Sequence, residues 1–193
     1  MARVNTIRPP ILADLPGVYR VCRETGPASV NPDLLGHIYA GPYVVNHPEL
    51  ARVVASDTGI EGYVLACSNT REFEQWCEAH WWPELRAQYP VGSGHPSDEW
   101  MTRLLHEPAR SPDAVVATHP AHLHIDLLPS AQGRGLGREL IEWLCDELAR
   151  RNVGGVHLGV SADNTGAIAF YERLGFETLL VEDDTVWMGR LLR

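Results

Sequence analysis

Apolar positions along this chain switch between a period near two and a period near 3.6, and each switch marks an element. Residues 3–8 read as a first strand. Asp14 to Thr25 reads as a helix with Leu15, Val18, Tyr19 and Cys22 on one face, and Gly26-Pro27 stops it. Residues 28–48 hold Pro32, Pro42, Pro48, Gly36 and Gly41, which predicts a loop with room for one short helix. Ala51–Ala55, the turn Asp57-Thr58-Gly59 and Gly62–Cys67 predict a hairpin. Residues 70–110 form a polar and aromatic insert, two helices parted by Gly92-Ser93-Gly94-His95-Pro96. From Ala114 the order becomes strand, helix, strand, helix, and then two strands that end near Leu191. Its first strand is the alternating run Leu123–Leu128, which Pro129 ends. The helix after it carries Leu136, Leu140, Ile141, Leu144, Cys145 and Leu148 at helical spacing through Arg151, with Gly154 as its stop. Val156–Val160 is the next strand, and Asn164–Leu174 the next helix.

Between the strand at 123–128 and the long helix lies Gln132-Gly133-Arg134-Gly135-Leu136-Gly137-Arg138. A glycine-rich turn feeding a helix gathers unpaired N–H groups, the positive end of the helix dipole and here two arginines, which suits a pyrophosphate. Two common phosphate loops fail on spacing. The dinucleotide fingerprint would need a third glycine at 138, where Arg138 stands, and a P-loop needs a lysine, of which the chain has none. What remains is Gln/Arg-x-x-Gly-x-Gly/Ala, met by Gln132, Gly135 and Gly137.

Composition narrows the picture further. With 193 residues, 45% of them hydrophobic, the chain is expected to form a single domain, 1–193, with a substantial core. It lacks an apolar run of membrane-spanning length and a basic-then-apolar leader pattern. Cys22, Cys67, Cys77 and Cys145 show neither metal spacing nor a disulfide framework, so free thiols and a cytoplasmic location are expected. A net charge of −9 argues against a nucleic-acid surface and is compatible with a cationic amine substrate.

The Gln132–Gly137 pattern resembles the acetyl-CoA pyrophosphate loop of the GNAT superfamily of N-acetyltransferases. Asn164–Phe176, with Tyr171 and a closing Leu174-Gly175-Phe176, looks like that family's second signature, in the expected order. Asp33–Tyr43 and Trp81-Trp82-Pro83 are similar to bacterial acetyltransferases related to the C-terminal acetyltransferase-like domain of protein O-GlcNAcases. The resemblance implies an α+β fold with a mixed, mostly antiparallel twisted sheet of six to seven strands flanked by helices. It also implies an N-terminal half over 1–113 and an acetyl-CoA-binding half over 114–193.

Its chemistry would be direct transfer from acetyl-CoA, as cosubstrate, to a primary amine in a ternary complex. In the family the fourth strand splays from the fifth at a bulge, which places the thioester and pantetheine against the backbone of Leu127 and Leu128. Gln132, Gly133, Arg134, Gly135, Leu136, Gly137 and Arg138 would hold the pyrophosphate, and Asn164 the pantetheine. Tyr171 would protonate the leaving thiolate. His122, His124 and Asp126 fall on one strand face by two-residue alternation. The phrase Ala121-His122-Leu123-His124 looks like the His-x-His strand of arylalkylamine N-acetyltransferases, where the histidines remove the amine proton through water. Imidazole suits that task because it titrates near neutrality. The plainer alternatives are a solvated polar strand face, a packing role for Tyr171 and a helix cap for Asn164. Two His and one Asp also suit a metal, but the family's chemistry needs none and no metal is expected. Cys145, on the buried stripe of its helix, is badly placed to carry an acyl group.

A rival reading is an acetyltransferase-shaped module of weak or no activity that binds acetyl-CoA or a protein partner. A longer acyl donor also stays open, as do the acceptor and a monomeric or homodimeric state. Trp76, Trp81, Trp82 and Trp100 in the insert are expected to cap the core; a substrate lid or a dimer surface is the alternative.

Overall fold

A computed structural model describes residues 5–192, so positions 3 and 4 of the expected first strand lie outside the described residues. The elements in chain order are β1 (Thr6–Arg8), α1 (Leu15–Thr25), α2 (Leu34–Tyr39), α3 (Gly41–Asn46), β2 (Arg52–Ser56) and β3 (Gly59–Cys67). Then come α4 (Thr70–Trp76), α5 (Trp82–Gln88), α6 (Glu99–His106), α7 (Asp113–Val116) and β4 (Ala121–Leu127). The chain continues with α8 (Leu136–Arg150), β5 (Gly155–Ser161), α9 (Thr165–Glu172), β6 (Glu177–Glu182) and β7 (Thr185–Leu191). Seven strands form one sheet in the order β1-β2-β3-β4-β5-β7-β6, in which only β4 and β5 run parallel.

Alternation on the central strands builds two cores, one on each face of the sheet. Tyr63 and Leu65 of β3 point toward α1, α2 and α6, where Val18, Leu35, Met101 and Leu105 bury against them. Val64 and Ala66 point the other way, with Ala121 and Leu123 of β4, under Leu140, Leu144 and Leu148 of α8. Buried on both faces, β3 reads as a continuous apolar run. The same alternation puts His122, His124 and Asp126 of β4 on the face covered by α1 to α6.

Several boundaries depart from the sequence reading for local reasons. Residues 28–48 hold two short helices, not a loop with one. Pro42 sits in the first turn of α3, where its fixed φ and missing N–H are tolerated. Asn69 caps α4 by accepting from the N–H groups of Arg71 and Glu72, so Thr70 opens the helix. A single wide turn over Cys77–Trp81 joins α4 to α5. α8 stops at Arg150, before the expected Gly154. Asn152 adopts φ 60°, and the Val153 N–H reaches back to the Leu148 carbonyl at 3.0 Å. Ala114–Val116 lie in the helical turn α7, and β4 begins only at Ala121. Of the insert's tryptophans, Trp82 is buried and Trp76 and Trp81 are half-buried against the first core, whereas Trp100 is 39% exposed.

Candidate functional site

β4 and β5 lie side by side for two residues only, Ala121 against Val156 and His122 against His157. Beyond that point β4 follows β3 to Leu127, while β5 follows β7 to Ser161, so a gap opens between two neighbouring strands. The backbone on the β4 side of this gap is unpaired in a regular way. The Leu128 N–H donates to the Glu61 carbonyl at 2.8 Å, and antiparallel alternation then turns Asp126 and His124 toward β3 as well. Ile125 and Leu127 therefore aim their N–H groups into the gap.

This corrects the expectation of a bulge with both leucine amides in the gap. The register with β3 is unbroken from Gly62–Leu127 to Cys67–His122. In a regular strand consecutive amides point to opposite sides, so Leu127 qualifies and the Leu128 N–H does not.

The glycine-rich turn stands at the end of the gap. Gly133 and Gly135 adopt φ 71° and 82°, and a β-carbon on either would meet open space. The left-handed backbone, rather than crowding, is what calls for glycine there. Gln132 braces the turn by donating from Nε2 to the Leu127 carbonyl at 2.8 Å. Gly137 is a packing glycine, since a β-carbon would lie 3.2 Å from the Phe170 ring and 3.4 Å from Leu127. That close approach seats the start of α8 against α9 and the end of β4. The first N–H groups of α8, at Leu136, Gly137 and Arg138, have no intrahelical carbonyl and face outward along the helix axis. Arg134 bonds Asn5, and Arg138 pairs with Glu142 at 3.3 Å.

The strand row does not act as one cluster. His122 lies at the centre of a polar network: Nε2 is 2.5 Å from the Tyr43 hydroxyl, and Nδ1 is 2.8 Å from Thr70 Oγ1 and 3.1 Å from Cys67 Sγ. His124 meets the same Tyr43 hydroxyl at 3.1 Å through Nε2. Asp126 stands apart under α1, bonded to the Tyr63 hydroxyl at 2.5 Å. Burial pushes the Asp126 carboxyl up, with the Tyr63 hydrogen bond opposing it. Burial, and then the neighbouring imidazoles, hold His122 well below its ordinary value and bring His124 down to about 4. Both rings are neutral near pH 7.

A cleft of about 1130 Å³ opens over these two histidines. His122, Leu123 and His124 of β4 and His157 to Ser161 of β5 form its floor, so it meets the strand gap. Its walls are Tyr39, Tyr43, Phe73 and Trp82 on one side and Asp184 of the β6–β7 turn with Thr185 and Trp187 of β7 on the other. Two of the carboxylates at its rim are engaged: Glu74 by Arg71 at 2.8 Å and Glu78 by Arg86 at 2.8 Å.

Tyr171 and Asn164 lie on the opposite face. Tyr171 is 8% exposed between Phe170 and Phe176, and burial, then the Asp126 charge, raises its phenol. Asn164 accepts from the Ala167 N–H at 3.1 Å and caps α9. Sequence reasoning missed Tyr43, Thr70, Cys67 and His157. Each is brought in by long-range pairing, and only the Gly41-Pro42 helix start hinted that residue 43 would be held in place.

The sequence model of the acetyltransferase (GNAT) family matches residues 65–176, more than half of the chain, from β3 through Phe176. The chain belongs to this family. The crystal structure of SsHAT superposes with a TM-score of 0.89 at 38% identity, over 97% of this chain and 98% of that one. Protein O-GlcNAcase of Rattus norvegicus is 25% identical over 205 residues, which is 99% of this chain and 22% of that protein. The chain thus spans about a fifth of the curated relative it matches along its whole length. The [ribosomal protein bS18]-alanine N-acetyltransferase of Escherichia coli K12 is 47% identical over 62 residues, 32% of this chain and 42% of that one. The seven-stranded mixed sheet with flanking helices is the acyl-CoA N-acyltransferase fold of the GNAT family, in the α+β class.

Proposed function

We propose that this chain transfers the acetyl group of acetyl-CoA directly to a primary amine, both bound at once. One observation carries the reading: the gap between β4 and β5 connects a glycine-rich helix start on one side to an aromatic-lined cleft on the other. A long cofactor with a charged end and a reactive end needs that arrangement. Residues 114–193 would form the cofactor half of one acetyltransferase unit, 1–193.

The residues present fit the cofactor. Gly133 and Gly135 keep the turn open, and the first amides of α8 with Arg134 and Arg138 offer positive charge for a pyrophosphate. The amides of Ile125 and Leu127 suit the pantetheine and the thioester carbonyl, beside Asn164 at the start of α9. Leu128 contributes by fixing the strand end on β3, and Gln132 by bracing the turn. When bound, the cofactor supplies an acetyl thioester.

The chain's own residues would do the rest. The cleft orients the amine over the strand gap. His124, neutral, accepts the amine N–H, with His122 behind it in the same network, and the Leu127 amide faces the developing oxyanion. Tyr171, with its proton firmly held, stands beside the gap as the donor to the departing thiolate. Asp126, locked to Tyr63, would stay outside the proton path. The four cysteines are free and buried, which suits a reducing cytoplasm and a direct transfer without an acyl-cysteine. Among the described residues no helix is long and apolar enough to cross a membrane. The partners would be small molecules or an amine-bearing protein rather than nucleic acid or membrane, and the working unit a monomer or a homodimer.

The reading is tested by thermal unfolding with acetyl-CoA. At 100 times Kd the cofactor should add about 2.7 kcal/mol of stability. A melting temperature that acetyl-CoA leaves unchanged at millimolar concentration contradicts it.

A further inference from the structure

The hydrogen-bond network around Tyr43 has only one consistent arrangement of protons. It begins at the Pro120 carbonyl, which has no hydrogen to give. Thr70 Oγ1, 2.8 Å away, must donate to it. The single Thr70 hydroxyl proton is then committed, so the 2.8 Å contact between Thr70 Oγ1 and His122 Nδ1 requires the ring to donate. The same N–H points toward Cys67 Sγ at 3.1 Å.

A neutral imidazole carries one N–H, so His122 Nε2 bears the lone pair and accepts the Tyr43 O–H at 2.5 Å. The Tyr43 proton is now committed too. Its oxygen can only accept from His124, whose Nε2 lies 3.1 Å away and must hold the second ring proton. His124 Nδ1 is left with a lone pair. It has no protein partner among the described residues and is not shut away from solvent, and His124 lines the cleft. The Tyr43 ring is itself fixed by stacking on Phe73 at 4.3 Å and is buried throughout.

We propose that Tyr43 and Thr70 are positioning residues: they hold His122 and His124 in opposite tautomers and so present His124 Nδ1 as the lone-pair nitrogen that receives the acceptor amine. The claim rests on the acetyl-transfer reading for its amine and on geometry alone for its tautomers. In the reaction the amine N–H donates to His124 Nδ1. As the N–C bond to the acetyl carbon forms, that proton moves onto Nδ1, and the C–S bond breaks with its electron pair on sulfur. His124 keeps its Nε2–H on Tyr43 throughout and returns the extra proton to water in the cleft. His122 never titrates; it serves to aim Tyr43.

Nitrogen NMR of the uniformly labelled chain reads the tautomers directly, with His122→Gln and His124→Gln used to assign the two rings. The parent should show His122 as the Nδ1–H form and His124 as the Nε2–H form. Tyr43→Phe keeps the ring and its stacking; His124 should then become a tautomer mixture, and kcat should fall about tenfold with acetyl-CoA affinity within about twofold. Thr70→Val should release the His122 tautomer, and Thr70→Ser should restore it. A parent His124 protonated at Nδ1 overturns the proposal, even if the folding of a variant is in doubt. So does a Tyr43→Phe protein with parental tautomers and rate. Absence of transfer to any amine, with the tautomers as assigned, would instead overturn the function and leave the network's geometry supported.

Discussion

His122 and His157 are the last residues at which β4 and β5 lie side by side, and their rings, 5.7 Å apart, mark where the sheet divides. The glycine-rich turn lies along that division, and the aromatic cleft opens above it. In the proposed reaction, cofactor and acceptor would therefore meet at a point fixed by backbone pairing, not by a loop.

The amide of Leu127 can be removed without breaking the sheet. Leu127 faces Gly62 across a non-hydrogen-bonded pair, so its N–H takes no part in the β3 ladder. Leu127→Pro should fold and bind acetyl-CoA about tenfold more weakly. Leu128→Pro removes the bond to Glu61 and should lower the melting temperature more. Equal acetyl-CoA affinity in parent and Leu127→Pro would show that this amide does not face the cofactor.

Gly135→Asp places a carboxylate and a strained left-handed residue at the start of α8. Acetyl-CoA affinity measured by calorimetry should fall at least tenfold, about 1.4 kcal/mol, in a protein that still folds. The β-carbon itself meets open space, so the loss would report on charge and backbone rather than on collapse of the turn.

Tyr171→Phe retains the ring between Phe170 and Phe176 and removes a hydroxyl that has no partner among the described residues. Stability should change by about 1 kcal/mol or less. Loss of the thiolate's proton donor should lower kcat about 10²-fold with nearly parental cofactor affinity. A parental kcat would return Tyr171 to a packing role.

Acid should destabilise the fold earlier than carboxylate titration alone would. His124 falls from 6.5 to about 4 in the folded chain, and His122 and His157 are lowered in the same direction. The unfolded chain therefore binds protons first as pH drops below about 6.5, and stability present above that value is lost toward about 4. Each histidine contributes at most about 1.4 kcal/mol per pH unit in this window. Asp126, raised by burial, works in the opposite sense but is one group against five lowered histidines, His37 and His119 being the others. Denaturant midpoints from about pH 7 to pH 4 test this. The rate between about pH 6 and pH 9 should follow deprotonation of the acceptor amine, without a break at the ordinary histidine value.

The cofactor side was legible in the sequence because its signals are local. A strand, a glycine turn and an amphipathic helix follow one another within residues 121–150, spacing excluded two other phosphate loops, and the left-handed φ of Gly133 and Gly135 explains why glycine stands at both. The roles of Asn164 and Tyr171 came from the resemblance; the structure shows Asn164 capping α9 and Tyr171 buried on it, and the Tyr171→Phe test decides the latter's role. The acceptor side was not legible. Tyr43 reaches His122 across 79 residues and Thr70 reaches it across 52, so no window contains them together. Alternation correctly put His122, His124 and Asp126 on one face, but it could not show that Tyr63 draws Asp126 away under α1. The bulge expected at Leu127-Leu128 came from resemblance, and the unbroken register with β3 replaces it.

Acetyl transfer from acetyl-CoA to an amine is read directly by thiol release from acetyl-CoA across pooled primary amines. Release should require an amine, yield one N-acetyl product per thiol and fall at least tenfold in Gly135→Asp. Thiol release from no pool, by a folded protein at saturating acetyl-CoA, would contradict the proposed transfer.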